Sequence, residues 1–398
     1  MNRLSFKSGP AIVVTAAFIG PGSLTVCAIA GVEFGYELLW AVLLSCIITI
    51  FFQNTVANLS FKSGQGLVEL FNNKLNNSIL CYLFTAWVLI AIFIGNAAYE
   101  AGNISGAFIG LKKFIELSPF NITQFPSSFL NYFIAIIIIF VVWKENNRLI
   151  KNILGITVFV MSISFLFAAI LTKPSVYELL KGFLIPRWRP EVWNTIIAVL
   201  GTTIVPYNLF LHAALVKHDL NRLQLSYLRR DTIIAVSFGG LISSAIIIAA
   251  AGADINQINS INDLGNALYS LYGPNSQIFI SIGLFTAGLS SAITAPIAAG
   301  YVVEESFIKH GSRKKLKKIA IYFVIIIGLA FAVSGYNPIE LIRAAQVTNG
   351  LLLPGMALFI SILCFPKKDD LLINKIRFLG LLILFLFFSL LAVKVLFL

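Results

Sequence analysis

The chain has 398 residues, 58% of them hydrophobic and 12% charged, with a mean hydropathy of +0.90. That balance excludes an ordinary soluble domain and indicates an all-α protein that crosses a membrane many times, because apolar runs of ~18 residues or more recur along the chain. A net charge of +12 raises nucleic acid as a partner, but the basic residues lie beside the ends of the apolar runs and form no basic domain, which points instead to the lipid bilayer.

In chain order, the first run covers 10–32, follows Arg3 and Lys7, and lacks a small-residue cleavage site, so it reads as a retained helix. Gly20, Pro21, Gly22 and Ser23 interrupt it mid-span. Runs at 37–58, 79–110, 129–143 and 152–172 complete a first set of five, and 191–216, 231–252, 277–305, 319–335 and 341–364 make a second. An eleventh run, 371–397, stands outside both sets, so the chain is expected to be one transmembrane domain, 1–398, of about eleven helices. Cys27, Cys46, Cys81 and Cys364 lie inside or at the ends of these runs with no zinc or disulfide spacing, and read as packing residues.

Charge sets the orientation. With the N-terminus in the cytoplasm, the inner segments hold most of the 29 Lys and Arg, among them Arg3, Lys7, Lys62, Lys74, Lys217 and the run "KHGSRKKLKK" at 309–318. The outer loops hold Lys112, Lys113, Lys173, Lys181, Arg187 and Arg189. The positive-inside rule then puts the N-terminus inside and the C-terminus outside, in a cell membrane taken to be a bacterial inner membrane.

The second set of five also opens on an interruption, "LGTTIVPYNLFLHAAL" at 200–215, with Pro206 in mid-span. A set of five has an odd number of crossings, so the second enters from the opposite face. That is the pattern of an inverted repeat, about 10–172 and 191–364, whose two broken helices meet at the midplane. A simple proline kink is the alternative for either break alone, but two at corresponding positions point to a site, since irregular backbone at membrane depth must line a cavity or lie within protein. Each break presents carbonyls from one half-helix and N–H groups from the next, offering a cation the first and an anion the second.

Three side chains near the breaks are candidate substrate contacts: Ser23 at the first, and Tyr207 and Asn208 at the second. Gly20 and Val205 belong to the same two stretches. Gln346 and Asn349 place two amides one turn apart on the tenth run, either lining a pathway or bonding neighbouring helices. Glu100, in "FIGNAAYEAGNISGAF" at 93–108, is a carboxyl deep in the third run and reads as a proton acceptor or cation partner, with a structural hydrogen bond as the alternative. His212 can relay protons or bond an adjacent helix. Glu304 and Glu305 fall near the inner end of the eighth run, where ion pairing with the basic cluster explains them. No P-loop, HExxH or nucleophile elbow occurs, so neither an enzyme nor a cofactor is expected, and ion- or proton-coupled secondary transport is the class that fits.

Several stretches together resemble the natural resistance-associated macrophage protein (NRAMP) family of proton-coupled divalent-metal transporters. "GPGSLTVCAIAGVEFGYELLW" is similar to that family's first helix, where Asp-Pro-Gly-Asn precedes a Gly-x-x-x-Gly-Tyr stretch, and "VPYNLFLHAAL" to its Met-Pro-His-Asn-Leu-x-Leu-His segment. "ISIGLFTAGLSSAITAPIAAGYVVEESF" (280–307) and "AQVTNGLLLPGMA" (345–357) resemble its eighth and tenth helices. The resemblance implies a LeuT-type 5+5 fold with helices 1 and 6 broken, alternating access, and a metal held at the breaks. It also implies differences. Where the family binds metal through Asp, Asn and Met, this chain has Gly20, Ser23 and Val205, leaving a carbonyl near Thr202 and the Gln346 side chain. The family's first His of the sixth helix is Tyr207, its second is His212, and the Asp three residues before Glu100 is Ala97.

Without thioether or carboxylate, a soft transition-metal site is not expected, and no confident metal ligand is assigned. The cargo is expected to be a hard divalent cation such as magnesium or manganese held by oxygens. One alternative is a small anionic or zwitterionic solute at the two helix ends. Another is a sensor or scaffold that keeps the fold without transport.

Overall fold

The computed structural model describes residues 10, 19–75, 79–117, 127–143, 148–220, 223–253, 257–266, 273–307, 311–366 and 371–397. Arg3, Lys7, Lys309 and the stretch 11–18 ahead of the first break lie outside the described residues. Helices occupy every one of the eleven predicted runs. The spans, numbered first to eleventh, are Pro21–Phe34, Leu39–Ser63, Ile79–Leu117, Ser127–Trp143, Arg148–Leu171, the pair Trp193–Thr203 and Pro206–His218, Leu225–Ala251, Ser276–Ser306, Arg313–Ala332, Pro338–Leu363 and Leu372–Phe397. Among the described residues seven helical stretches are long and apolar enough by themselves to cross a bilayer, and the described part of the first span is among the shorter apolar ones. The ninth span is long, but its first two turns carry the run of lysines.

Packing pairs reveal the internal symmetry. The third span packs on the eighth, and the second on the seventh. The first packs on the seventh as the sixth does on the second; the tenth on the third as the fifth on the eighth; and the ninth on the eighth as the fourth on the third. Exchanging each of the first five spans with its counterpart among the next five therefore maps these contacts onto one another, as a two-fold related repeat requires. Close approach is set by small residues: an added Cβ at Gly288 would lie 2.6 Å from the Ala107 backbone nitrogen, which brings the eighth span hard against the third.

The periphery is apolar. Ile90, Ile136, Leu386 and Leu390 are 59–66% exposed, as side chains facing lipid hydrocarbon would be. The eleventh span shows most of its surface outward, and Lys394 near its end sits 4.6 Å from the ring centre of Trp193.

Three connections contain helices that periodicity in the spans did not announce. Val176–Leu184 starts at Ser175, whose hydroxyl accepts from the Glu178 N–H, and exposes Val176, Tyr177, Leu180 and Leu184, consistent with lying along the membrane surface. Ile261–Asn266 is a further short helix before the eighth span. Leu67–Lys74, after the second span, is pinned from three sides. Glu69 pairs with Lys217 at 2.6 Å, the Val68 N–H donates to Glu305 at 3.2 Å, and Lys74 Nζ donates to the carbonyls of Ile362 and Leu363 at 3.1 and 3.0 Å. Glu304 does pair with the basic cluster, through Lys317 at 2.8 Å. Glu305 does not: it is buried, and its carboxylate caps the first turn of Leu67–Lys74, where exposed N–H groups favour negative charge. At the opposite face Glu37 holds both Arg187, at 2.5 Å, and Arg189, and Trp40 packs on Trp188.

Candidate functional site at the two helix breaks

Both breaks are built alike. Gly20 is extended, with φ −121° and ψ −170°, and Pro21 occupies the first helical position after it, where its missing N–H costs nothing. At the second break the last intrahelical bond of Trp193–Thr203 runs from the Ile204 N–H to the Leu200 carbonyl at 2.8 Å. The next carbonyls have no intrahelical donor ahead of them. Val205 is extended, and Pro206 starts the following half-helix.

The two breaks meet. Ser23 Oγ and Thr202 Oγ1 are 2.8 Å apart and buried, joining the first turn after one break to the last turn before the other. Gln346 reaches the same place from the tenth span. A Cβ on Gly22 would lie 2.2 Å from its Nε2, so only glycine there admits the amide, and Gln346 Oε1 is buried with no hydrogen-bond partner. The tenth span is held in position by backbone contact, since a Cβ on Gly201 would lie 2.1 Å from the Gln346 carbonyl oxygen and one on Gly350 2.5 Å from that of Ile197.

Tyr207 and Asn208 open the second half of the sixth span and are almost fully buried. Among the described residues the Asn208 amide has neither atom bonded, and neither ring nitrogen of His212, one turn on and on the same helical face, has a partner. Unpaired polar atoms in such number are unusual in a folded interior and mark a place organised around something polar.

Two predicted residues sit apart from the breaks. Asn349 faces the third span, 3.5 Å from where a Cβ of Gly95 would be, and both its amide atoms are unpaired. Glu100 is fully buried with both carboxylate oxygens unpaired, and its stem packs on Gly328 of the ninth span, whose Cβ would meet Glu100 Cγ at 2.5 Å. Its neighbour Tyr99 faces the breaks, as does Gly106, whose Cβ would lie 2.4 Å from that of Pro21. The Tyr99 and Tyr207 rings meet edge to face at 5.3 Å, and Tyr99 Oη is 3.6 Å from the position a Cβ of Gly20 would take. Sequence reasoning passed over Tyr99, and Ser291 with it, whose Oγ would be 2.6 Å from that same Cβ. Adjacency to Glu100 and a place inside the eighth-span motif were the available signals.

Comparison with known proteins decides the family. The profile described as "Natural resistance-associated macrophage protein-like" matches residues 11–398. The chain belongs to the NRAMP family. A divalent metal cation transporter, MntH, of Staphylococcus saprophyticus is 26% identical over 373 residues, covering 87% of this chain and 81% of the relative. The fold of the manganese transporter of Eremococcus coleocola superposes on this NRAMP chain with a TM-score of 0.73 at 19% identity, covering 98% and 88% of the two chains. MhsT in complex with L-phenylalanine shares the fold at a TM-score of 0.62 and 15% identity, covering 98% and 100%. This NRAMP chain is thus a multi-pass membrane protein of the LeuT-like fold. Among the described residues no group of three or more His, Cys, Asp or Glu is placed to hold a metal ion. What the breaks offer is neutral oxygen: hydroxyls, amides and carbonyls.

Proposed function

We propose that this chain is a secondary transporter of a divalent metal cation, carried between the two helix breaks by alternating access. The observation that carries the reading is the Ser23–Thr202 bond, which joins the breaks at a buried point also reached by Gln346. The relatives named divalent metal cation transporters support the cargo class. An all-oxygen donor set suits a hard ion such as magnesium or manganese, and the missing thioether disfavours softer ones. The assigned contacts are Ser23, the carbonyl end at Thr202, Tyr207, Asn208 and Gln346, with Gly20 and Val205 shaping the backbone and Asn349 flanking on the third-span side. Glu100 and His212, both buried and unpaired, are assigned to proton coupling. The orientation has the N-terminus in the cytoplasm and the C-terminus outside a bacterial inner membrane, and the repeats run over about 10–172 and 191–364 with the eleventh span, 371–397, outside them.

One observation favours a second reading, a small anionic or zwitterionic cargo. Residue 20 is glycine, with Ser291 Oγ 2.6 Å from where its Cβ would be, so that position carries no carboxylate to neutralise the helix N-terminus. Tracer flux into proteoliposomes separates the two. Manganese or magnesium uptake that responds to a pH gradient, and loses that response in Glu100→Gln, supports metal–proton transport. Flux of small carboxylates without metal flux overturns it, and no flux of either class points to the sensor or scaffold reading.

A further inference from the structure

On the side of the third span away from the breaks, a groove of about 860 Å³ runs between the third, ninth and tenth spans and the end of the eighth. Its floor is made of small residues, Ala97, Ala98, Ala101 and Ala344, which leave a channel the helices do not fill. Phe93, Phe323 and Phe331 wall it, with Phe93 and Phe323 edge to face at 5.5 Å. Along the ninth span the lining runs from Leu316 to Phe331, which at 1.5 Å per residue is ~22 Å, longer than the ~15 Å of hydrocarbon in one leaflet.

One end of this groove is strongly charged. Arg313, Lys314, Lys315 and Lys318 are exposed in the first two turns of the ninth span, and among the described residues none of the four forms an ion pair. Lys317 is different: it turns inward to Glu304 at 2.8 Å and sits 3.9 Å from the Tyr301 ring centre. Arg313 precedes Leu316 and Ala320 on one helical ridge and Lys315 precedes Ile319 and Phe323 on the next, so these two lie toward the groove, whereas Lys314 and Lys318 lie on the other side of the ninth span. An apolar channel long enough to take an acyl chain across one leaflet, ending at cations that form no ion pair among the described residues, has the two-part chemistry of one amphiphile.

We propose that this groove is a binding site for an anionic phospholipid, with an acyl chain along the alanine floor and the phosphate against Arg313 and Lys315. Ala97 and Ala101 bracket Glu100, and Ala345 precedes Gln346, so the bound chain packs on the outer side of helices whose inner side forms the cargo site.

Native mass spectrometry of the full chain, extracted and exposed to phosphatidylglycerol or phosphatidylcholine, tests the assignment. The wild type should retain one phosphatidylglycerol at roughly tenfold lower lipid concentration than phosphatidylcholine, as expected for two basic side chains facing an anionic headgroup. The double variant Arg313→Gln/Lys315→Gln, which spares Lys317, should lose that preference, whereas Lys314→Gln/Lys318→Gln, on the other side of the helix, should keep it. Ala344→Phe, at an exposed position on the groove, should lower retention of both lipids without unfolding the protein, as checked by its melting temperature. Equal retention of the two lipids by the wild type overturns the proposal. So does loss of the preference in Lys314→Gln/Lys318→Gln, or an Arg313→Gln/Lys315→Gln variant that loses phosphatidylglycerol while Ala344→Phe keeps it, either of which would mean adhesion to the basic surface alone. A lipid-free dimer dispersed by Ala344→Phe would make the groove a protein interface and also overturn it.

Discussion

Gly22→Ala tests how the tenth span reaches the first break. The added methyl would stand 2.2 Å from Gln346 Nε2 and 2.5 Å from its Cδ. An ordinary contact is about 3.5 Å, so the amide must retreat by about 1.3 Å or swing away. Because the obstacle is the tip of a side chain with three rotatable bonds and not backbone, the fold should survive while Gln346 leaves the site. A hydrogen bond to a charged ligand is worth ~1.5–3 kcal/mol, which corresponds to roughly 10- to 100-fold in half-saturation. Manganese uptake into proteoliposomes over a concentration series, for Gly22→Ala, Gln346→Ala and the double variant, provides the assay. Each single variant should raise half-saturation by that factor, and the double variant should be no worse than the weaker binder of the two, since both remove the same contact. Wild-type half-saturation in Gly22→Ala, or a double variant in which the two losses multiply, would refute the argument.

Three further outcomes follow from the same geometry. Gly201→Ala should leave little folded protein, measured by size-exclusion chromatography, because its Cβ would meet the Gln346 carbonyl at 2.1 Å and backbone cannot rotate aside; a well-folded Gly201→Ala would contradict that packing. Thr202→Val keeps the shape but removes the bond to Ser23, and should lower thermal stability in detergent by ~1 kcal/mol; an unchanged melting curve would show that the bond does not hold the breaks together. Glu305→Ala removes the buried acceptor of the Val68 N–H, a loss of ~1.5–3 kcal/mol, whereas Glu69→Gln breaks a partly exposed pair with Lys217 worth ~0.2–1 kcal/mol. Limited proteolysis between 63 and 79 should therefore accelerate more in Glu305→Ala than in Glu69→Gln, and the reverse order would count against the capping role.

The sequence by itself determined the spans, the two breaks and the family. Apolar runs of membrane length have no soluble alternative, and a proline at the first helical position after Gly20 or Val205 leaves its mark in the chain whatever surrounds it. It also singled out Ser23 and Gln346, because polar groups at membrane depth are rare enough to stand out, whereas Thr202 entered only through the family resemblance, as the place of a backbone carbonyl. The partners of those groups were decided only in three dimensions. Glu100 and Tyr99 are adjacent in the chain, yet a helix turns ~100° per residue, so one packs on Gly328 while the other faces the breaks. Periodicity does not say which neighbour each helical face will meet. Glu304 and Glu305 divide in the same way, one pairing with Lys317 and the other burying itself to cap Leu67–Lys74. The space beside Gly20 follows that logic too: the chain shows a glycine, and only the packing of the eighth span shows that Ser291 fills the place where a side chain would begin.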